Sequence, residues 1–247
     1  MIDLSKVVVV VSTHNRPHYL QRCVQGWLKS APTLRRVYAL VHHPEGDVGF
    51  SCPLECQIVH TGRVPEHAGC MSKTWNLAFQ WGFRDPEVEW VICSMDDAEI
   101  TPGWPEKLAA FDADLYLAPA GDLVFMLNRR ALQKVGWFDE RFPLIGYQEW
   151  DWQARAILGL GLDRVSLDDA HGWHHNPIGL GEHWIHIGGG AAPTTRSEHL
   201  MGAARWWLLE KWKRDAPDMV GMLSSGQITP PAHPEFEWYP WFSRFCP

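Results

Sequence analysis

Along the chain, the first clear pattern of apolar positions is Lys6 to Ser12, a β-branched run without alternation. A strand buried on both faces reads this way, which points to the interior of a parallel sheet. Thr13-His14-Asn15-Arg16-Pro17 follows, and Pro17 suits the first turn of a helix. Leu20, Cys23, Val24, Trp27 and Leu28 then recur at helical spacing and give that helix one apolar stripe. Val37 to Val41 reads as a second strand and Gln57 to Val59 as a weaker third. Lys73 to Phe83 is helical, with Trp75, Ala78, Phe79 and Gly82 on one side. Glu89 to Met95 is another buried strand, ending at Asp96-Asp97. This alternation predicts a doubly wound α/β half.

The second half is less regular. Leu115 to Ala118 and Leu123 to Asn128 read as short strands around Gly121, and Leu162 to Leu167 as another. Arg130 to Val135, Glu149 to Leu158 and Ser197 to Arg214 read as helices; the last carries Leu200, Ala204, Leu208 and Trp212 at i, i+4 spacing. Gly179 to Thr195 is Gly-rich with little periodicity and reads as a loop. From Ala216 onward Pro recurs among Phe236, Trp238, Tyr239, Trp241, Phe242 and Phe245. So apolar a tail is expected to pack on the domain. The expected organisation is one domain over 1–196, whose more regular half runs to about residue 100, with a C-terminal helix and aromatic tail over 197–247 packed on it.

Composition narrows the picture. The 247 residues are 46% hydrophobic, enough for one sizeable core. A net charge of -7 disfavours a broad nucleic-acid or anionic-membrane face, though it leaves room for a local basic patch. The longest apolar run, Val7 to Val11, is too short to span a bilayer, and Met1 to Ser5 lacks the pattern of a signal peptide. A cytoplasmic protein without membrane insertion is expected. Of six cysteines, Cys23 and Cys93 fall in apolar patterns and read as buried small hydrophobes. Cys52, Cys56 and Cys70 mix with His42, His43, His60 and His67 in a spacing that matches no strong zinc template, so a polar loop is the simpler reading. Most of the 15 tryptophans are expected in the core; a few on a cleft wall would suit stacking on a sugar.

Three clusters carry candidate chemistry. In Asp96-Asp97-Ala98-Glu99-Ile100-Thr101-Pro102-Gly103-Trp104, acids directly follow a buried strand, at the sheet edge where open α/β folds bind ligands. Carboxylates clustered there suit a hard divalent cation, although turn and cap chemistry also uses such residues. Glu149 and Asp151 open a helix, where acids complement the dipole and where one could serve as a general base. Asp168-Asp169-Ala170-His171-Gly172-Trp173-His174-His175 could complete a metal site begun by Asp97, or be ordinary surface.

Taken in order, these blocks resemble the family 2 glycosyltransferases and their GT-A relatives. Val-Val-Ser-Thr-His-Asn-Arg-Pro resembles the family's opening strand and nucleotide-contacting loop, and Asp96 to Trp104 its Asn-Asp-Asp-x-Glu-x-Thr-Pro-Gly-Trp form of the DXD motif. Val135-Gly136-Trp137-Phe138-Asp139-Glu140 with Gln148-Glu149-Trp150-Asp151 resembles its Gly-x-Phe-Asp-Glu and Glu-Asp-x-Asp motifs, and Trp173-His174-His175 its Tyr-His-His.

The resemblance implies an α/β GT-A fold: a Rossmann-like, doubly wound and mostly parallel central sheet, here with an aromatic-rich C-terminal extension. It implies metal-dependent, inverting transfer of a sugar from a nucleotide sugar, a UDP-sugar foremost, to an acceptor hydroxyl. Mn²⁺ or Mg²⁺ would be held by Asp97 and His174, with Asp96 at the donor ribose or the metal. Ser12, His14 and Arg16 would contact the nucleotide, and Lys73 and Asn76 would lie near the base and diphosphate. Glu149 would be the catalytic base, with Asp151 the other candidate. The acceptor is open among glycan, peptide, small molecule and hydroxylated DNA base, and the oligomeric state is not readable. Three positions depart from the pattern: Met95 and Glu149 stand where the family has Asp, and Gln148 where it has Glu. The second strand ends Val41-His42-His43-Pro44, without the Asp that reads uracil. The rival readings are a sugar-nucleotide nucleotidyltransferase, which would carry a Gly-rich loop where Thr13 to Arg16 stand, and a non-catalytic sugar- or partner-binding relative.

One more expectation concerns 179–190. Glycines at 179, 181 and 188–190 flank His183, Trp184 and His186, an arrangement suited to a lid closing over the donor. A surface loop with Trp184 docked on the core, or a separate metal site using His183 and His186, are the alternatives.

Overall fold

The computed structural model describes residues 2–13, 16–42, 49–61, 71–100, 103–108, 112–118, 121–142, 147–166, 184–186 and 195–212. Strand β1 (Val7–Thr13) is buried along its whole length. Its side chains alternate between two cores: Val7, Val9 and Val11 join one, Val8 and Val10 the other. Both faces are covered, which is why the sequence shows no alternation there.

Helix α1 (Pro17–Ser30) buries Leu20, Cys23, Val24 and Trp27 against the first of these cores. Helix α2 (Met71–Gly82) buries Met71, Trp75, Ala78 and Phe79 against the second. The two crossovers therefore lie on opposite faces, as double winding requires. At the end of α2 a Cβ on Gly82 would lie 2.5 Å from the Val91 side chain, so only glycine lets the helix close directly onto β4 (Trp90–Met95).

The remaining strands of the main sheet are β2 (Arg36–Val41), β3 (Cys56–His60), β6 (Leu115–Ala118), β7 (Gly121–Asn128) and β8 (Val165–Ser166). The order is β3-β2-β1-β4-β7-β6-β8, and β7 alone runs antiparallel to the rest. Helices α4 (Arg129–Val135), α5 (Gln148–Leu160) and α6 (Thr195–Trp212) contribute buried residues to the core that holds α2. Helix α3 (Trp104–Leu108) joins the α1 side, where Trp104 meets Trp27 edge to face with centroids 5.5 Å apart. Trp27, Trp75, Trp104 and Trp152 are fully buried, while Trp206 is exposed. Cys23 and Cys93 are buried, and burial pushes the Cys23 thiol up to about 12.

Two expectations are corrected. Trp184–His186, inside the stretch read as loop, is strand β9, paired antiparallel with β5 (Ala98–Ile100). The strand expected over 162–167 begins instead as a 3₁₀ turn, Leu162–Arg164, and of its described residues Val165–Ser166 pair with β6. The aromatic tail, His14, His174 and the glycines at 179, 181 and 188–190 lie outside the described residues. Among the described residues no helix is long and apolar enough to cross a membrane.

Candidate active site

The connection from β1 leads through α1 to β2, whereas β3 returns through α2 to β4 on the other side of β1. The order of the sheet thus reverses between β1 and β4. Outside their carboxyl ends is the crevice where folds of this kind bind ligands. Its two walls are the end of β1 together with Arg16, and the Asp96-Asp97 turn after β4.

The two walls are tied together. The Asp96 N–H donates to the Ser12 carbonyl at 3.0 Å, extending the β1–β4 ladder by one bond. Thr13 Oγ1 donates to Asp96 Oδ2 at 2.7 Å. Arg16 spans both acids: Nη1 lies 3.3 Å from Asp96 Oδ1 and Nη2 3.0 Å from Asp97 Oδ2. Its guanidinium also rests 4.5 Å over the Tyr19 ring. Asp96 and Asp97 are only 1% and 3% exposed. Two carboxylates so close and so buried repel each other strongly unless a cation joins them. Arg16 supplies that cation here.

The donor set suits a divalent cation as well. Carboxylate oxygens are hard ligands of the kind Mn²⁺ and Mg²⁺ take. Asp96 and Asp97 alone are too few to enclose an ion, and among the described residues no cluster of three ligand side chains forms. The expected third ligand, His174, lies outside those residues. The acids therefore fit such an ion, in exchange for part of the hold Arg16 has on them.

The remaining candidates divide between this crevice and the core beside it. Ser12 Oγ lies 2.9 Å from His42 Nε2, at the end of β2, and the other ring nitrogen lies 2.9 Å from Thr61 Oγ1. Because Thr61 Oγ1 donates to the Val41 carbonyl at 3.3 Å, it accepts from Nδ1–H, and in the neutral ring Nε2 then accepts from Ser12. Lys73 is half-buried in the first turn of α2. Asn76, expected near the base and diphosphate, commits its amide elsewhere. Its Nδ2 donates to the Phe138 carbonyl at 3.0 Å and to Glu140 Oε1 at 2.9 Å, and its Oδ1 accepts the Phe138 N–H at 2.8 Å.

Glu149 is half-buried in the first turn of α5. Just before it, Tyr147 caps the helix in the left-handed region, φ 66°. A bulky aromatic there is strained, and such strain tends to collect at functional sites. Asp151, the other candidate base, is fully buried and occupied on both oxygens. Arg155 and Lys211 lie 3.0 Å and 2.6 Å from it, and Trp212 Nε1 donates to it at 2.8 Å. Burial alone would raise its pKa, but the Lys211 and Arg155 charges outweigh that and hold the carboxyl below its ordinary range. Lys211 also lies 3.1 Å from Asp139, which Arg141 contacts at 2.9 Å. Arg155 donates to the Val135 and Trp137 carbonyls at 2.6 and 2.8 Å. Sequence reasoning missed this network. The signal for it was two charged residues, Arg155 and Lys211, set among apolar helical positions, but nothing local names their partners.

Neither a protein-family model nor a curated protein sequence matches the chain. Solved structures do. Residues 1–349 of TarS from S. aureus superpose with a TM-score of 0.50 at 15% identity, covering 65% of this chain and 57% of that one. The fold is GT-A. Two further structures superpose with TM-scores of 0.45. They are the mannosyltransferase PcManGT from Pyrobaculum calidifontis, in complex with GDP-Man and Mn²⁺, at 14% identity over 90% of this chain and 73% of that one, and the galactosyltransferase LgtC, in complex with donor and acceptor sugar analogs, at 12% over 93% and 99%. This chain therefore spans little more than half of the TarS fragment it matches, and identities this low speak to the GT-A architecture alone.

Proposed function

We propose that this chain is a glycosyltransferase that moves a sugar from a nucleotide sugar to an acceptor hydroxyl, with inversion and with a divalent cation. The observation that carries the reading is the buried Asp96–Asp97 pair, at the switch point of a GT-A sheet and bridged by Arg16. Asp96 also ties β1 to the turn after β4, through Thr13 and Arg16, but a second buried acid beside it adds repulsion to the fold. It has a purpose if a cation and a diphosphate are to be bound.

In this reading Asp97 and His174 hold Mn²⁺ or Mg²⁺, which when bound supplies charge for the donor diphosphate and the leaving group. Arg16, relieved of part of its pairing with the acids, turns its guanidinium to the diphosphate oxygens. Ser12, His14 and Lys73 border the nucleotide; Asn76 acts one step back, by fixing the turn that leads from α4 toward α5. The acceptor oxygen attacks the anomeric carbon as the bond to the diphosphate breaks, and its proton passes to Glu149. Asp151 does not touch substrate; it holds α5, and so Glu149, in place through Lys211 and Arg155. A soluble glycan, a peptide, a small molecule or a hydroxylated base would each supply the hydroxyl.

The test is a panel of nucleotide sugars scored by thermal unfolding, with Mn²⁺ and with EDTA. A bound donor stabilises the folded state by mass action. One member is expected to raise the transition with Mn²⁺ and not with EDTA. No shift with any member would refute the reading.

A further inference from the structure

At the opposite end of the sheet, beside the amino-terminal edge of β1 and β2, lies a cavity of about 430 Å³, lined by Arg35, Arg36, Tyr38, Arg84 and Asp85 among others. That volume falls within the range of small-molecule sites. Val8 lines it, and Thr13, five residues along the same strand, contacts Asp96. At about 3.3 Å per residue the two regions are about 16 Å apart. It is therefore separate from the donor crevice.

Three cations and one anion face this cavity, in a protein whose net charge is -7. Arg35 is committed: its Nε and Nη2 both donate to Asp85 Oδ2, at 2.9 and 2.6 Å. The other two keep donors to spare. Arg36 makes one long bond, 3.4 Å to Gln57. The Arg84 guanidinium lies over the Trp81 ring, its carbon 4.6 Å from the centroid, and it makes no hydrogen bond among the described residues. Trp81 in turn packs on Tyr38, with centroids 5.7 Å apart. The turn bearing Arg84 and Asp85 is buttressed by Arg129, whose Nη2 donates to the carbonyls of Phe83, Asp85 and Val88 at 3.3, 3.0 and 3.0 Å. Arg84 follows the C-terminus of α2, where a cation is favourable for the helix alone. That does not account for Arg36, which arrives from β2.

We propose that this cavity is a binding site for a phosphate-bearing ligand, gripped between the guanidinium groups of Arg36 and Arg84. Guanidinium forks match the oxygens of a phosphate, and stacking on Trp81 pre-orders the Arg84 fork for that contact. Arg35 and Asp85 neutralise each other and form the wall. The ligand could be a small phosphorylated molecule or one phosphate of a longer chain, and the chemistry of recognition is the same.

Titration calorimetry of the full-length protein with inorganic pyrophosphate, in EDTA, tests this without engaging the cation-dependent crevice. The wild-type chain is expected to bind, and R16Q, which removes the crevice's own guanidinium, to bind equally well. The R36Q/R84Q double variant, with an unchanged unfolding transition, is expected to bind about 10-fold or more weakly, the scale of lost charge-assisted hydrogen bonds. A parallel titration with long-chain polyphosphate separates the sources: affinity per chain that rises with length indicates a polymer, and equal affinity a small ligand. No binding by the wild-type chain, or binding lost in R16Q and kept in R36Q/R84Q, would overturn the proposal.

Discussion

Lys211 Nζ, near the end of α6, lies 2.6 Å from Asp151 Oδ1 in α5, with both side chains buried. One ion pair thus joins the last described helix to the helix that carries Glu149. Asp151→Asn removes the partner and leaves Lys211 and Arg155 beside a neutral amide. Breaking a buried pair in this way costs about 3–5 kcal/mol, and chemical denaturation of the variant reads it directly. A variant as stable as wild type would show that the pair contributes little.

The same carboxyl predicts a pH dependence. Its folded pKa is depressed, so its contribution to stability is complete above the unfolded value of about 4 and is lost as pH falls through the folded value. Unfolding midpoints measured from pH 6 downward should fall more steeply below about pH 4 for wild type than for Asp151→Asn. Parallel curves would contradict the assignment.

Glu149→Gln keeps the shape of the side chain and removes the proposed proton acceptor. Turnover should drop about 10²–10⁴-fold, with donor affinity and unfolding little changed. Should Asp151→Asn, in a protein still folded, lose turnover that way while Glu149→Gln does not, the base is the other carboxylate.

In the proposed reading, Arg16 and a divalent cation would compete for Asp97. Asp97→Ala should abolish cation-dependent nucleotide binding while the fold persists, because Arg16 keeps Asp96 as a partner. Arg16→Gln should act oppositely on the two ligands: tighter Mn²⁺ binding by the free protein, seen by electron paramagnetic resonance, and weaker nucleotide binding once Mn²⁺ is present. Weaker Mn²⁺ binding in Arg16→Gln would show that the arginine supports the cation site and does not compete for it.

The pairing of β9 with β5 bears on the expected lid. Ala98, Glu99 and Ile100 face His186, Ile185 and Trp184 across the ladder. Hydrogen exchange at Trp184–His186 should therefore be slowed in the free protein, and any donor-dependent protection should fall on the flanking glycines. Fast exchange at all three residues without donor would mean that the ladder forms only on binding.

What the sequence made legible follows from how far each signal reaches along the chain. The valine run of β1, the apolar stripe of α1 and the acids closing β4 are local patterns, and each falls where the pattern puts it. Strands of three residues, such as β5 and β9, are too short to show a period and exist only through each other. Asn76 and Asp151 stand in motif-like positions, yet their partners lie tens of residues away, at Phe138 and Lys211. Motif position alone cannot separate a group that meets substrate from one that holds the frame.

The ties made by Lys211 and Trp212 also bear on the order of synthesis. The parallel core of β1 to β4 with α1 and α2 has its residues in hand once about the first hundred have emerged from the ribosome. Asp139 and Asp151 emerge next, but Lys211 and Trp212 arrive only some sixty residues after Asp151. Until then α5 has two acids packed nearby without the cation they share. The half of the molecule that bears Glu149 should therefore set last, and a nascent chain stalled before residue 211 should be the form that proteases cut.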